Sequence, residues 1–513
     1  MSTSLQVSKP ADPTIYLVRH PWRIRIVYVL GILTWFGVVW GYILFFELNP
    51  WYWLIFGPIV GVFTVYHVLA YGINAFYPGF DLAAHERRVK SHWLHATTPA
   101  VDVFVPVAGE SVDLLRRTFA AVRAIDYAAK TIYVLDDRPS DAVRVLAAEM
   151  GFRYLTRPNP GHMKKSGNLK HGHENSTSPF IAYLDADFAP HPQFLRELLP
   201  YMDDPKVAIV QSPQYFDVDA ALHERAPIAF GAGHLQQDFY RIIQPARDRF
   251  GAGICVGTNA LYRRSALDAV GGVEQIEHSE DILTGFKLTA ASWKIRYVPL
   301  VLATGFCPED VYTYFHQQHR WCSGTLQLCL SRRFWTAHVS LAVKLCYLAG
   351  FFYYLFQPLA LLMVFQMFVV LFFHFDAITL RHALPFVPHI LFITMVIPLT
   401  RGTASRFGTF LARTTHVFST SQALISHISG RRLEWLPTNV RRSGVSSAFQ
   451  FLLLTSGLHL AMQIVLAGIA IAIFRSELTQ LQYFPVTLWI VYHIVTGSMF
   501  LSHGMATLRR SGE

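Results

Sequence analysis

The stretch 179-PFIAYLDADF-188 decides the fold. Phe180 to Leu184 are apolar or aromatic and predict a buried strand, which ends in Asp185 and Asp187. Strand alternation sends these two carboxylates to the same side. Like charges on one face repel unless something positive sits between them. A divalent cation accepting carboxylate oxygens meets that need, and a diphosphate can fill its remaining positions. Open α/β sheets bind ligands beyond the carboxyl ends of their strands, where this pair falls. Taken alone, the pair fits a solvated strand end equally well.

Around this stretch lies a chain too apolar for an ordinary soluble protein. Its 513 residues are 52% hydrophobic and 15% charged, and the mean hydropathy is +0.30. The net charge of +10 suits nucleic acid, an anionic membrane surface or a phosphorylated substrate. Many of the arginines flank apolar runs, so the lipid bilayer is the expected partner and nucleic acid is not. Six runs approach or exceed the roughly 20 residues a bilayer core needs. They are Ile26–Phe46, Trp51–Phe76, Leu348–Phe373, Leu384–Leu399, Phe449–Phe474 and Phe484–Leu501. Arginines crowd before the first run, between the fourth and fifth, and after the last. The positive-inside rule therefore predicts a multi-pass protein of the inner (plasma) membrane, with the middle block and both termini cytosolic. The expected division is 1–77 with two spans, 78–335 as a cytosolic domain, and 336–513 with interfacial helices, four spans and an Arg-rich cytosolic loop over 401–447. No cleavable signal peptide is expected. The five cysteines show no metal-ligand spacing and are read as reduced, mostly buried thiols.

The middle block alternates strands and helices. Strands are expected at Val101–Val107, Thr131–Leu135, Phe152–Leu155, Phe180–Leu184, Val207–Gln211 and Ile295–Val298. Val112–Ile125 reads as an amphipathic helix, and a shorter one is capped by Ser140 and closed by Gly151. The fold class is thus α/β, a mainly parallel sheet inserted between transmembrane helices. Asp136-Asp137 closes the second strand. His162 to Asn168 reads as a loop whose lysines and backbone N–H groups suit an anion, or as a solvated basic loop. His171 and His173 lack a third ligand and are read as exposed loop residues. Asp281 begins an apolar helix, where it can be a cap or a general base facing the ligand edge. Arg320 can grip a diphosphate, and Trp321 offers a flat face on which sugar rings stack.

In order, Asp136-Asp137, Asp185-Ala-Asp187, Ser279-Glu280-Asp281 and Gln317-x-x-Arg320-Trp321 resemble the motif set of the membrane-embedded, processive family-2 glycosyltransferases, most closely the bacterial cellulose-synthase-like group. The resemblance runs from about Val101 to Trp335. It implies a GT-A-like catalytic domain using a UDP-sugar donor, Mg²⁺ or Mn²⁺, and a growing β-glycan acceptor. Asp136, Asp137, Lys165, Asn168, Asp185 and Arg320 then bind the donor, and Asp185 and Asp187 address the metal. Asp281 is the implied base. Gln317 and Trp321 hold the acceptor, bordered by Cys255, Gly257 and Thr258. Trp435 and Thr438 fall in the family's gating loop, here without its lysine. Ala108-Gly109-Glu110 lacks the family's aromatic, and Arg138 replaces the usual glycine after the Asp pair.

The implied activity is polymerisation of glucose from UDP-glucose, with inversion, into a cellulose-like β-glucan passed through the transmembrane helices. Alternatives are another β-polysaccharide (a β-1,3-glucan or a UDP-GlcNAc-derived one), a non-processive lipid-directed transferase, and a transporter or scaffold without chemistry. Accessory export subunits are possible partners. The dozen residues after the last span leave no room for a fused cyclic-di-GMP-binding domain, so none is expected.

Overall fold

The computed structural model describes residues 11–95, 98–218, 226–401, 407–430, 445–474, 478 and 480–512. Its main sheet has seven strands in the order β3-β2-β1-β4-β8-β6-β9. β1 (Val101–Val107) is buried along nearly its whole length and lies parallel to β2 (Lys130–Asp136), with Val107 opposite Asp136. β3 (Arg153–Thr156) and β4 (Phe180–Tyr183) extend this parallel group on either side. β6 (Val207–Gln211) and β9 (Lys294–Tyr297) form a second parallel pair. The buried apolar runs of β1, β4 and β6 suit a sheet covered by helices on both faces. The sheet is therefore the mainly parallel one the sequence predicts, in an α/β domain.

Two strand-level details escaped the sequence. β8 (Ala260–Arg263) joins the two parallel groups by pairing antiparallel with both β4 and β6. It is only four residues long, Ala-Leu-Tyr-Arg, too short for a periodicity to register. A small second sheet is made of β5 (Phe188–Pro190), β7 (Tyr215–Phe216) and β10 (Ala303–Gly305). It anchors the chain directly after Asp187.

Helix ends follow local chemistry. Ser111 accepts from the Leu114 N–H at the start of helix Val112–Arg123, which has Asp113 in its first turn and Arg123 in its last. That helix stops two residues short of the predicted Ile125. Ser140 stands at the N-cap of helix Asp141–Glu149 but makes no capping bond, and Gly151 follows in the left-handed region at φ +75°. The segment read as a basic loop is instead helix Lys164–Glu174, which carries His171 and His173.

Among the described residues, six helices are long and apolar enough to cross a membrane: Pro21–Glu47, Gly57–Ala75, Leu341–Ala377, Leu380–Leu399, Ser447–Phe474 and Leu481–Arg509. The fourth starts four residues before the predicted Leu384 and loosens into a π-helical turn at Phe392–Val396. The Arg-rich stretch 401–447 is more than a loop, because it contains helix Phe407–Ile428. Its Leu411, Ala412 and Phe418 are buried together with Phe315 of helix Val311–Cys329 and Ile228 of helix Pro227–Asp238. Ser419 Oγ donates to the Phe315 carbonyl at 2.7 Å. Glycines allow the closest approach: a Cβ on Gly231 would lie 1.8 Å from the Gly408 carbonyl oxygen.

Gly231→Val should therefore force these helices apart and cost about 1–3 kcal/mol, read as a lower thermal midpoint of the detergent-solubilised protein. Gly61→Val, where a Cβ meets nothing within 4 Å, should cost far less. Equal midpoints for the two variants would refute the contact.

Candidate active site

The site forms where β1, β2 and β4 end. Asp136 is fully buried and organises the turn after β2, accepting from the N–H groups of Arg138 (2.9 Å) and Ser140 (3.2 Å) and from Tyr154 Oη (2.8 Å). The turn thus forms without the glycine for which Arg138 stands, and Arg138 packs over Gly109. Asp137 accepts from Arg157 Nε at 2.5 Å and from the Gly161 N–H at 2.9 Å. Arg157 also donates to the carbonyls of His162 and Lys164. Between them, Met163 and Lys164 adopt φ of 53° and 47°, a conformation uncommon for residues with a Cβ. Arg157 clamps this strained entry, and Lys165, in the first turn of helix Lys164–Glu174, is directed at Asp185.

Lys165 is the hub. Its Nζ forms an ion pair with Asp185 Oδ1 and donates to the Gly257 carbonyl at 3.0 Å. The Asp185 N–H donates to Thr258 Oγ1 at 2.9 Å. Gly257 has φ +73°, and a Cβ there would lie 3.0 Å from both Cβ and Oδ2 of Asp281. Glycine is thus required twice, for backbone conformation and for contact. Asp281 opens helix Glu280–Ala290 and is half-buried, whereas Glu280 beside it is buried. Ser279, also left-handed at φ 56°, donates through Oγ to the Arg320 carbonyl at 3.0 Å. The Arg320 side chain faces Glu280, Asp185 and Asp281.

The charges explain one another. Burial pushes Asp281 up to about 7, with the Glu280 carboxylate adding to it. Glu280 is raised by burial as well. Burial lowers Arg320 to about 10 against the pull of Glu280, Asp185 and Asp281, so it stays charged at neutral pH. Burial alone would lower Lys165, but Asp185 and Glu280 reverse this and raise it. For Asp187, burial, then Asp185 and Glu110, outweigh the Lys165 ammonium and push it up to about 8. The strand predicted to carry both carboxylates ends at Tyr183, and Asp185 and Asp187 leave the following turn half-buried on either side of buried Ala186. A cation shared by the two would remove their repulsion, so the pair fits Mg²⁺ or Mn²⁺. Among the described residues no three His, Cys, Asp or Glu side chains group to hold a metal. A phosphate-bearing ligand would have to complete its coordination.

Not every sequence-predicted residue faces this cleft. The Asn168 amide is buried and donates to the Leu135 carbonyl at 2.7 Å. Cys255 is buried with Sγ 3.0 Å from Tyr262 Oη, so its side chain points into the core. Gln317 is buried and Trp321 half-buried on helix Val311–Cys329, on the turn that carries Arg320. His173 lies 3.2 Å from Asp268, away from these groups. Trp435 and Thr438 lie outside the described residues. Sequence reasoning missed Arg157 as the partner of Asp137, twenty residues away with no intervening pattern, and Glu110 as part of the acidic cluster. Glu110 accepts from the Ala108 N–H at 2.7 Å.

Residues 102–271 match the model of the Glycosyl transferase family 2. The chain is also similar to cellulose synthase catalytic subunits. It is 32% identical over 268 residues to the cellulose synthase catalytic subunit [UDP-forming] of Xanthomonas axonopodis pv. citri (strain 306), over 50% of this chain and 36% of that protein. It is 28% identical over 256 residues to the cellulose synthase 1 catalytic subunit [UDP-forming] of Komagataeibacter xylinus, over 49% of this chain and 34% of that one. It thus spans about a third of the length of these curated relatives. A solved mannosyltransferase of Pyrobaculum calidifontis, in complex with GDP-Man and Mn²⁺, aligns over 86% of this chain and 98% of its own with 15% identity and a TM-score of 0.43.

Arg157 and Asp137 have side chains only 3% and 8% exposed. Arg157→Ala leaves a buried carboxylate unpaired and should cost about 3–5 kcal/mol, read from thermal unfolding. The double variant Arg157→Met/Asp137→Asn should cost less. A single variant as stable as the parent would refute the clamp.

Proposed function

We propose that this chain is a membrane-embedded, processive, inverting β-glycosyltransferase that polymerises glucose from UDP-glucose into a cellulose-like glucan and passes it through its transmembrane helices. One observation carries the reading. Half-buried Asp281 stands beside Gly257 in the field of Lys165, while Arg320 and Trp321 come from one turn of a helix leading to the next span. Proton acceptor, diphosphate grip and sugar platform thus share one sheet edge.

Lys165 and Arg320 place two cations where a donor diphosphate would lie, with Asp136 and Asp137 shaping the turn beside it. Asp185 and Asp187 would hold Mg²⁺ or Mn²⁺, which when bound offsets charge on the leaving diphosphate. Arg320 stabilises the same charge from a half-buried position. Asp281 takes the proton of the acceptor hydroxyl as that oxygen attacks the anomeric carbon opposite the leaving group, which inverts an α-linked donor to a β-glycoside. Its pKa near 7 suits a base working at neutral pH. Gln317 and Trp321 hold the acceptor end. Residues 78–335 are then the cytosolic catalytic domain of an inner-membrane protein. Segments 1–77 and 336–513 supply its spans, with both termini and 401–447 cytosolic.

Membranes given radiolabelled UDP-glucose should form β-glucanase-sensitive polymer, and polymer from a different UDP-sugar alone would overturn the donor assignment. Asp281→Asn should lower transfer by about 10²–10⁴-fold while UDP affinity holds. Because the working form of Asp281 is ionised, parental transfer should be constant above pH 7 and fall as pH drops through about 7. Near-normal turnover in Asp281→Asn would leave this residue a helix-start role only. Excess chelator should stop synthesis and added Mg²⁺ or Mn²⁺ restore it, whereas full activity in chelator would remove Asp185 and Asp187 from metal binding.

A further inference from the structure

The segment that leads into helix Pro21–Glu47 is folded onto the catalytic domain rather than left in solvent. Asp12 Oδ1 accepts from the N–H and Oγ1 of Thr14, both at 2.8 Å, and so shapes a turn. Beside that turn the Val301 N–H donates to the Pro13 carbonyl at 2.8 Å. Tyr16 follows and is 3% exposed, packed with Tyr215, Tyr240, Tyr297 and Val301. Its ring meets that of Tyr215 edge-on, with centroids 5.5 Å apart. Leu17 and Val18 turn to two other apolar clusters. Three successive side chains thus fasten this segment just before the membrane.

What Tyr16 touches points to a task. Tyr215 belongs to β7, which pairs with β10, and β10 pairs with β5. Across this small sheet Phe216, Gly305 and Phe188 stand in one row, and Phe188 directly follows Asp187. The row is tight: a Cβ on Gly305 would fall 2.5 Å from the Phe188 ring. The Phe188 N–H donates to the Asp185 carbonyl at 3.0 Å and closes the turn that presents both carboxylates. Val301, held by Pro13, lies just before β10. Cys307, just after β10, is buried and faces both Tyr16 and Asp187. The segment therefore bears on the small sheet at β7 and at the entrance of β10, and the sheet fixes the residue after Asp187. β4 cannot supply that support, because it ends at Tyr183.

We propose that Tyr16 is a positioning residue for the metal site: through Tyr215 and the small sheet it holds Asp187 where a divalent cation can share it with Asp185. This rests on the metal assignment proposed above. A small, hard cation is sensitive to ligand placement, and one ring contact corresponds to about a two- to tenfold change in affinity. Mn²⁺ binding to the detergent-solubilised full chain, with UDP present, can be read from the spin-resonance signal of free Mn²⁺ without any turnover. Tyr16→Ala should weaken binding by about that factor, and Tyr16→Phe, which keeps the ring, should not. Tyr215→Leu breaks the same contact from the sheet side. It should weaken binding alike, and it decides the matter if Tyr16→Ala does not accumulate. Val143→Ala, in the main core on helix Asp141–Glu149, should lower the thermal midpoint with Mn²⁺ affinity unchanged. Parental affinity in Tyr16→Ala and Tyr215→Leu overturns the positioning role while leaving the metal site intact. An equal loss in Val143→Ala would reduce the effect to general stability and also overturn it. If the parent binds no Mn²⁺ with UDP present, the metal assignment itself fails and this role with it.

Discussion

The ion pair between Lys165 and Asp185 is the contact on which the site depends. Five carboxylates (Glu110, Asp185, Asp187, Glu280 and Asp281) converge on one sheet edge against two cations, Lys165 and Arg320. Placing so many like charges together is unfavourable unless each has a partner. Lys165 joins three segments distant in sequence: the helix that carries it, the turn after β4, and the Gly257 carbonyl. Asp187, held well above the usual carboxylate range by burial and by Asp185, is where an additional cation has most to gain. The acid excess is thus an electrostatic imbalance that a charged ligand and its metal can complete.

That hub depends on backbone strain elsewhere. Lys165 stands in the first turn of its helix, directly after two residues in left-handed conformations, and Arg157 fastens the carbonyls of His162 and Lys164 there. Arg157 is in turn fixed by Asp137, at the end of β2. Asp136 and Asp137 therefore have a structural task already evident without ligand: one folds the turn after β2, the other aims Lys165. A motif carboxylate need not touch substrate to be indispensable to it.

The sequence made some of this legible for physical reasons. β1, the second half of β2, β4 and β6 are runs of mostly buried apolar residues, and such runs announce strands without context. The six spans were legible because no other environment accepts helices so apolar. β8 was not legible, because four residues carry no period. The Lys164–Glu174 helix was missed because Lys, Ser, Gly, Asn and His give it no apolar stripe; it is held by its ends and by buried Leu169. Helix Phe407–Ile428 was hidden among arginines, and its burial depends on glycine contacts that only the folded chain reveals. At the site, the motif residues could be found by spacing, but the direction of each side chain could not. Asn168 and Cys255 turn inward because their polar atoms find core partners, Leu135 and Tyr262, which no spacing rule anticipates.

Helix Val311–Cys329 relates the chemical edge to the membrane. Arg320 faces the carboxylates of the cleft, and the Ser279 hydroxyl holds its backbone. Contact there is tight: a Cβ on Gly324 would fall 2.2 Å from Ser279 Cβ, so the helix cannot slide along the acidic edge without a clash. On its other side Gln318 accepts from His416, and the Phe315 carbonyl from Ser419, both on helix Phe407–Ile428. Close-packed interfaces of this kind transmit displacement rather than absorb it. Charge at the acidic edge and the packing of helix Phe407–Ile428 therefore bear on one rigid element, held from both sides.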